Sequence, residues 1–183
     1  ATQRYRLFPY KYIEETEVAL LQTMDVATGS SSWYYPPTER TKQIETPDGG
    51  KPVNGLNLIT AMGPDNSLTL KVMDMMGATL HQWSIDWFDI WPDATHLPKD
   101  SIPQSKPGTH LHGTLLLPNG DVIFNFEKQG TVRMGVCGEV QWKLPYQTHH
   151  SIYLDDDETL WISGLLWNEQ PMVNFPAHNP PIR

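Results

Sequence analysis

The chain has 183 residues, of which 39% are hydrophobic, enough apolar surface for a core and too much for a disordered chain. Thirteen Lys and Arg against 21 Asp and Glu leave a formal charge of -8, which excludes the basic footprint that nucleic acid or an anionic membrane surface requires. The lone cysteine, Cys137, excludes an intramolecular disulfide and any multi-cysteine zinc or iron–sulfur site within the chain.

No apolar run approaches the length of a membrane span, and the segment opening at Ala1 lacks the charged and apolar regions of a signal peptide. Residues 13–24 carry acidic side chains in their first turn and Val18, Leu21 and Met24 three apart, the pattern of a short one-sided helix. From 29 to 51 the chain is rich in Ser, Pro and Gly, so residues 1–50 are expected to form an extended arm with one helix. Sixteen prolines and seven each of Trp and Tyr then favour a turn-rich all-β domain over 51–183. The β-prone runs are 56–62, 68–73, 79–83, 114–117, 122–126, 131–136, 140–142, 152–154 and 159–162, each bounded by turn residues such as Pro118, Asn119, Gly120 and Asp121.

A repeat narrows the architecture. Residues 112–124 align without a gap on residues 150–162, His112 over His150, apolar strand over apolar strand, turn over turn. A second pairing sets 72–83 over 133–142 with one single-residue gap, each closing on a tryptophan, Trp83 and Trp142. Two hairpins in about 40 residues are one blade of a β-propeller. Residues 51–183 therefore read as about three blade equivalents, a partial propeller, since closed rings have about four to eight blades. Residues 84–107 interrupt the first unit as an insertion.

The ordered series Asn54-Gly55-Leu56-Asn57, Asp74 with Gly77, His81-Gln82-Trp83, Leu117-Pro118-Asn119-Gly120, Gly138 leading to Trp142, and His149-His150 resembles the opening blades of the bacterial arylsulfotransferase family. The resemblance covers roughly 54–164. It implies a six-bladed propeller of the periplasm that moves a sulfuryl group from a phenolic sulfate to another phenol through a sulfated histidine, with no nucleotide donor and no cofactor. Ser151 stands where the family has Asp after the histidine pair, and Gly135 stands where the first unit has Asp74. The family's nucleophile lies in later blades and is carried over to no residue.

The histidines are the chemical lead. His110, His112, His149 and His150 all fall immediately before the first strand of a unit, the strand that lines the channel of a propeller. An imidazole there serves as nucleophile toward sulfur, as general acid or base for a phenol, or, when protonated, as a hydrogen-bond donor to sulfate oxygens, and also as a plain structural bond to a neighbouring blade. His112, His149 and His150 are the catalytic candidates, and His110 and Arg133 the candidates for binding substrate. Imidazoles spaced as His-x-His also suit a metal, but no carboxylate partner is evident in the sequence, so no metal is assigned. The acidic run 155–158 reads as a solvated hairpin turn rather than a calcium loop. Cys137 has no basic neighbour closer than Arg133 and no mark of a reactive thiol. Trp83, Trp87, Phe88 and Trp91 in and beside the insertion suit packing on the blade edge first, docking of a protein partner together with the arm second, and a lid third. Two functions stay open: arylsulfotransferase-like transfer between phenols, and a catalytically inactive propeller acting as a binding or structural subunit.

Overall fold

The computed structural model describes residues 53–63 and 65–165, together with Ile13, Thr16, Glu17, Leu20, Thr23 and Met24. Those six are helical and exposed, within the segment expected to be a helix. The remainder of the expected arm and the residues after 165 lie outside the described residues.

Nine strands form three antiparallel sheets among the described residues. The first is β1 (Leu56–Met62), β2 (Leu68–Asp74) and β3 (Thr79–Ile85). The second is β4 (Leu111–Leu116), β5 (Val122–Phe126), β6 (Gly130–Met134) and β7 (Val140–Leu144). The third is β8 (Thr148–Leu154) and β9 (Leu160–Gly164). Within each sheet the strand order is the chain order, and no sheet closes on itself. Between the first two sheets lie the helical turn α1 (Trp87–Ile90) and a 3-10 turn at Lys99–Ser101. No helix among the described residues is long and apolar enough to cross a membrane.

Every expected strand is present, and the reason is the turns. Five hairpins share one closure: a backbone N–H of the first turn residue donates to the carbonyl four residues on, and the residue at the fourth position turns back with positive φ. Gly120 fills that position in the β4–β5 hairpin at φ 89, and Glu158 fills it between β8 and β9 at φ 60. This is the type I turn with a left-handed residue after it, which matches strand twist. The sequence expectation errs at two strand starts. β4 begins at Leu111 and β8 at Thr148, upstream of 114 and 152, because both pair irregularly there: Leu111 faces Phe126 but Thr114 faces Phe124, and Thr148 faces Gly164 but Ile152 faces Ile162. A bulge breaks the alternation from which strands are read.

The core lies between the first and second sheets. Leu68, Leu70, Val72, Trp83 and Ile85 meet Val122, Phe124, Phe126, Val132 and Met134, with Trp87, Ile90, Trp91 and Leu97 of the insertion filling the space between. Trp83 Nε1 donates to the Gly135 carbonyl at 2.9 Å, and His81 Nε2 bonds the Val136 carbonyl at 2.8 Å, tying β3 to the β6–β7 turn. The packing role expected of the aromatics is what the insertion does: Trp83, Trp87 and Trp91 are buried and Phe88 half-buried against the core. They offer little surface for docking or for a lid.

Candidate functional site: a histidine cluster where two sheets meet

The second joint, between β4 and β8, is of another kind. Its backbone contact is close enough that a Cβ on Gly113 would lie 1.8 Å from the His150 carbonyl oxygen, so only glycine permits the approach. Asn125 Nδ2 donates to that same carbonyl at 2.9 Å, Thr131 Oγ1 donates to Asn125 Oδ1 at 2.6 Å, and Thr131 also shares a 2.8 Å hydrogen bond with Thr148 Oγ1. Asn125, Thr131 and Thr148 are buried, and each polar group here finds a partner, as burial demands. The bulges in β4 and β8 lie on either side of this network and turn the histidines to one place.

The β4–β5 turn sets what stands opposite. With Leu116 facing Val122 and Leu111 facing Phe126, Glu127 arrives level with His110, and its N–H donates to the His110 carbonyl at 3.1 Å. The Glu127 carboxylate meets His112 Nδ1, and Lys128 Nζ stands 3.2 Å from its other oxygen. His112 Nε2 lies 3.3 Å from His150 Nδ1. The rings of His112 and His150 are 4.5 Å apart, those of His149 and His150 4.4 Å, and those of His110 and His112 5.7 Å. All four sequence-predicted histidines are thus in one cluster, and the two equivalent residues of the repeat touch.

For neutral imidazoles these contacts select one proton arrangement. An ionised carboxylate only accepts, so neutral His112 carries its proton on Nδ1 and accepts at Nε2. The donor to that nitrogen is then His150 Nδ1–H, which leaves His150 Nε2 with a free lone pair. Burial pushes the Glu127 carboxyl up, but hydrogen bonds from His112 and Lys128, and the Lys128 charge, hold it below the ordinary carboxylate range. It stays ionised at neutral pH. His150 sits at φ 57, a left-handed conformation that costs a non-glycine residue about 1–2 kcal/mol and that recurs where side chains are aimed for function. His149 Nδ1 is buried and without a hydrogen-bond partner among the described residues.

Other predicted residues lie elsewhere. Arg133 does not join the histidines. Its Nε and a terminal nitrogen bond Asp121 Oδ2 at 2.9 and 2.6 Å, at the opposite end of β5, six residues or about 20 Å along the strand from Glu127. Asn119 and Arg133 hold the Asp121 carboxyl below its ordinary value. The acidic run at 155–158 is a hairpin turn, as expected: the Asp155 carboxylate accepts from the backbone of Asp157 and Thr159 and from Trp161 Nε1. Cys137 is an exposed free thiol.

Glu127 is the residue that sequence reasoning missed. Its signal was present in the hairpin register, since counting back from the Leu117–Asp121 turn brings 127 opposite 111, between His110 and His112, and the β4 bulge moves it by one residue to His110. With His110 and His112 it forms a group whose ligand atoms all lie within 4.8 Å of one another. Comparison with protein-family models, curated proteins and solved structures found no match.

Proposed function

We propose that the three sheets are neighbouring blades of a partial β-propeller and that the cluster transfers a sulfuryl group between phenolic compounds in the periplasm, with His150 as nucleophile. The single observation that carries this reading is the Glu127–His112–His150 chain of contacts, built from the equivalent histidines of two repeat units. The blade reading is supported by the first strands of successive units, β1, β4 and β8, packing in that order. The compartment and the phenolic substrates rest on the resemblance.

In this mechanism the His150 Nε2 lone pair attacks the sulfur of an aryl sulfate. The bond from sulfur to the phenolic oxygen breaks, and the phenolate leaves and takes a proton from solvent. The sulfated imidazole is cationic, and its Nδ1–H bond to His112, backed by the Glu127 charge, disperses that charge. An acceptor phenol, losing its proton, then attacks the same sulfur, the nitrogen–sulfur bond breaks, and His150 Nε2 regains its lone pair.

The test is release of the chromophore from a chromogenic aryl sulfate in the presence of phenol. Transfer should fall by about 10²-fold or more in His150→Asn and by a similar order in His112→Ala. Absence of transfer, together with no acid-labile sulfation of the protein, overturns the reading. A second reading, an inactive propeller serving as a binding subunit, is favoured by Tyr153 and Trp161, each 61% exposed on the third sheet, where a further blade or another protein finds an uncovered face.

A further inference from the structure

We infer that His110, His112 and Glu127 bind a divalent transition-metal ion, and that the ion closes the His150 nucleophile. The ligand geometry comes first. Two imidazoles and a carboxylate offer atoms within 4.8 Å of one another, so ring and carboxylate rotations of about 1 Å bring them to the spacing of about 3.4 Å that a tetrahedral ion at about 2.0–2.2 Å from each ligand requires. His110 and His112 are exposed, so an ion has a way in, while Glu127 is partly buried. Two histidines with one carboxylate, and open positions left for water, suit Zn²⁺ and the neighbouring divalent metals rather than Ca²⁺ or Mg²⁺, whose ligands are oxygens.

The carboxylate that the sequence did not reveal is supplied by the end of β5. Glu127 meets Nδ1 of His112, so an ion between the two takes that nitrogen in place of its proton. A metal-bound neutral imidazole carries its proton on the other nitrogen. His112 Nε2–H then donates across the 3.3 Å contact to His150 Nδ1, and His150 holds its own proton on Nε2. The balance is one proton lost to solvent from His112 Nδ1, one shifted from His150 Nδ1 to His112 Nε2, and one gained from solvent at His150 Nε2. The ion therefore reverses both tautomers and removes the lone pair that attacks sulfur.

Metal binding does not rest on the sulfuryl-transfer reading, and the experiment keeps them apart. Zn²⁺ is titrated into the metal-free full chain without substrate, with binding followed calorimetrically and the histidine tautomers followed by long-range proton–nitrogen spectra. Saturable binding of one ion is expected, with movement of the His150 proton from Nδ1 to Nε2, and affinity should fall at least about tenfold in His110→Ala and in Glu127→Gln. Both variants are checked for a single cooperative unfolding transition and a native-like β spectrum. No saturable binding, binding unaffected by both substitutions, or an ion that leaves the His150 tautomer as it was overturns the inference. Aryl sulfate turnover is read separately, and its absence leaves the metal site standing.

Discussion

The two joints between sheets are made of opposite materials. Between the first and second sheets the contact is apolar and filled by Trp83, Trp87, Trp91, Phe124 and Phe126, all buried. Between the second and third it is a backbone approach at Gly113, a buried amide–hydroxyl network and four imidazoles. The apolar joint gains free energy from every side chain it removes from water. The polar joint gains little net energy, because its hydrogen bonds replace bonds to water, but it fixes direction. Apolar packing and directed hydrogen bonding are thus allotted to different seams of one all-β unit.

Breaking the apolar joint should have the largest effect. Phe124 is fully buried, and Phe124→Ala should lower the unfolding free energy by about 3–5 kcal/mol, read by urea denaturation. A loss below about 1 kcal/mol, the ordinary surface scale, would mean that this seam does not hold the unit together. Gly113→Ala comes next. Its added carbon meets the backbone of His150, so β4 and β8 must separate, at a cost of about 1–3 kcal/mol. The same variant should lose the coupling between the His112 and His150 rings in histidine NMR spectra. Asn125→Leu removes the amide that donates to the His150 carbonyl and leaves the Thr131 hydroxyl with Thr148 alone, and about 1–2 kcal/mol should go by thermal or chemical unfolding.

Much of the first joint was legible from the residues. The turn residues punctuate the hairpins, and the aromatic insertion reads as packing because large apolar side chains beside a sheet edge have few other places to go. The second joint was legible only in part. His112 and His150 were set in register by the repeat, but their contact depends on two bulges, and a bulge has no period. Glu127 was overlooked because a carboxylate at a strand end looks like any solvated turn until the register is counted. Arg133 reads as a bidentate hydrogen-bond donor to a sulfate or to an acidic neighbour, and Asp121, one residue before β5, takes its guanidinium; a cross-strand partner twelve residues away is invisible to a local reading. The docking role weighed for Trp83, Trp87, Phe88 and Trp91 yields to burial, since the insertion folds back between the sheets.

The smallest effect sharpens the electrostatics of the polar joint. The Glu127 carboxyl is held low in the folded chain, so the ionised group adds stability above the ordinary carboxylate pKa of about 4.3, and that stability is lost as pH falls through the lower folded value. Glu127→Gln lacks this contribution. The difference in melting temperature between the native chain and the variant should therefore be level near neutrality and shrink on acidification below that range. A difference that stays constant into acid would show that Glu127 is not paired in the folded state.

The proton arrangement of the cluster is the most direct test of the account. In the metal-free chain, at a pH where the imidazoles are neutral, long-range proton–nitrogen spectra should show His112 and His150 each protonated on Nδ1, with both Nε2 atoms bare, and Glu127→Gln should shift that pattern. Rings that average between tautomers, and that do so equally with and without the Glu127 carboxylate, would contradict it.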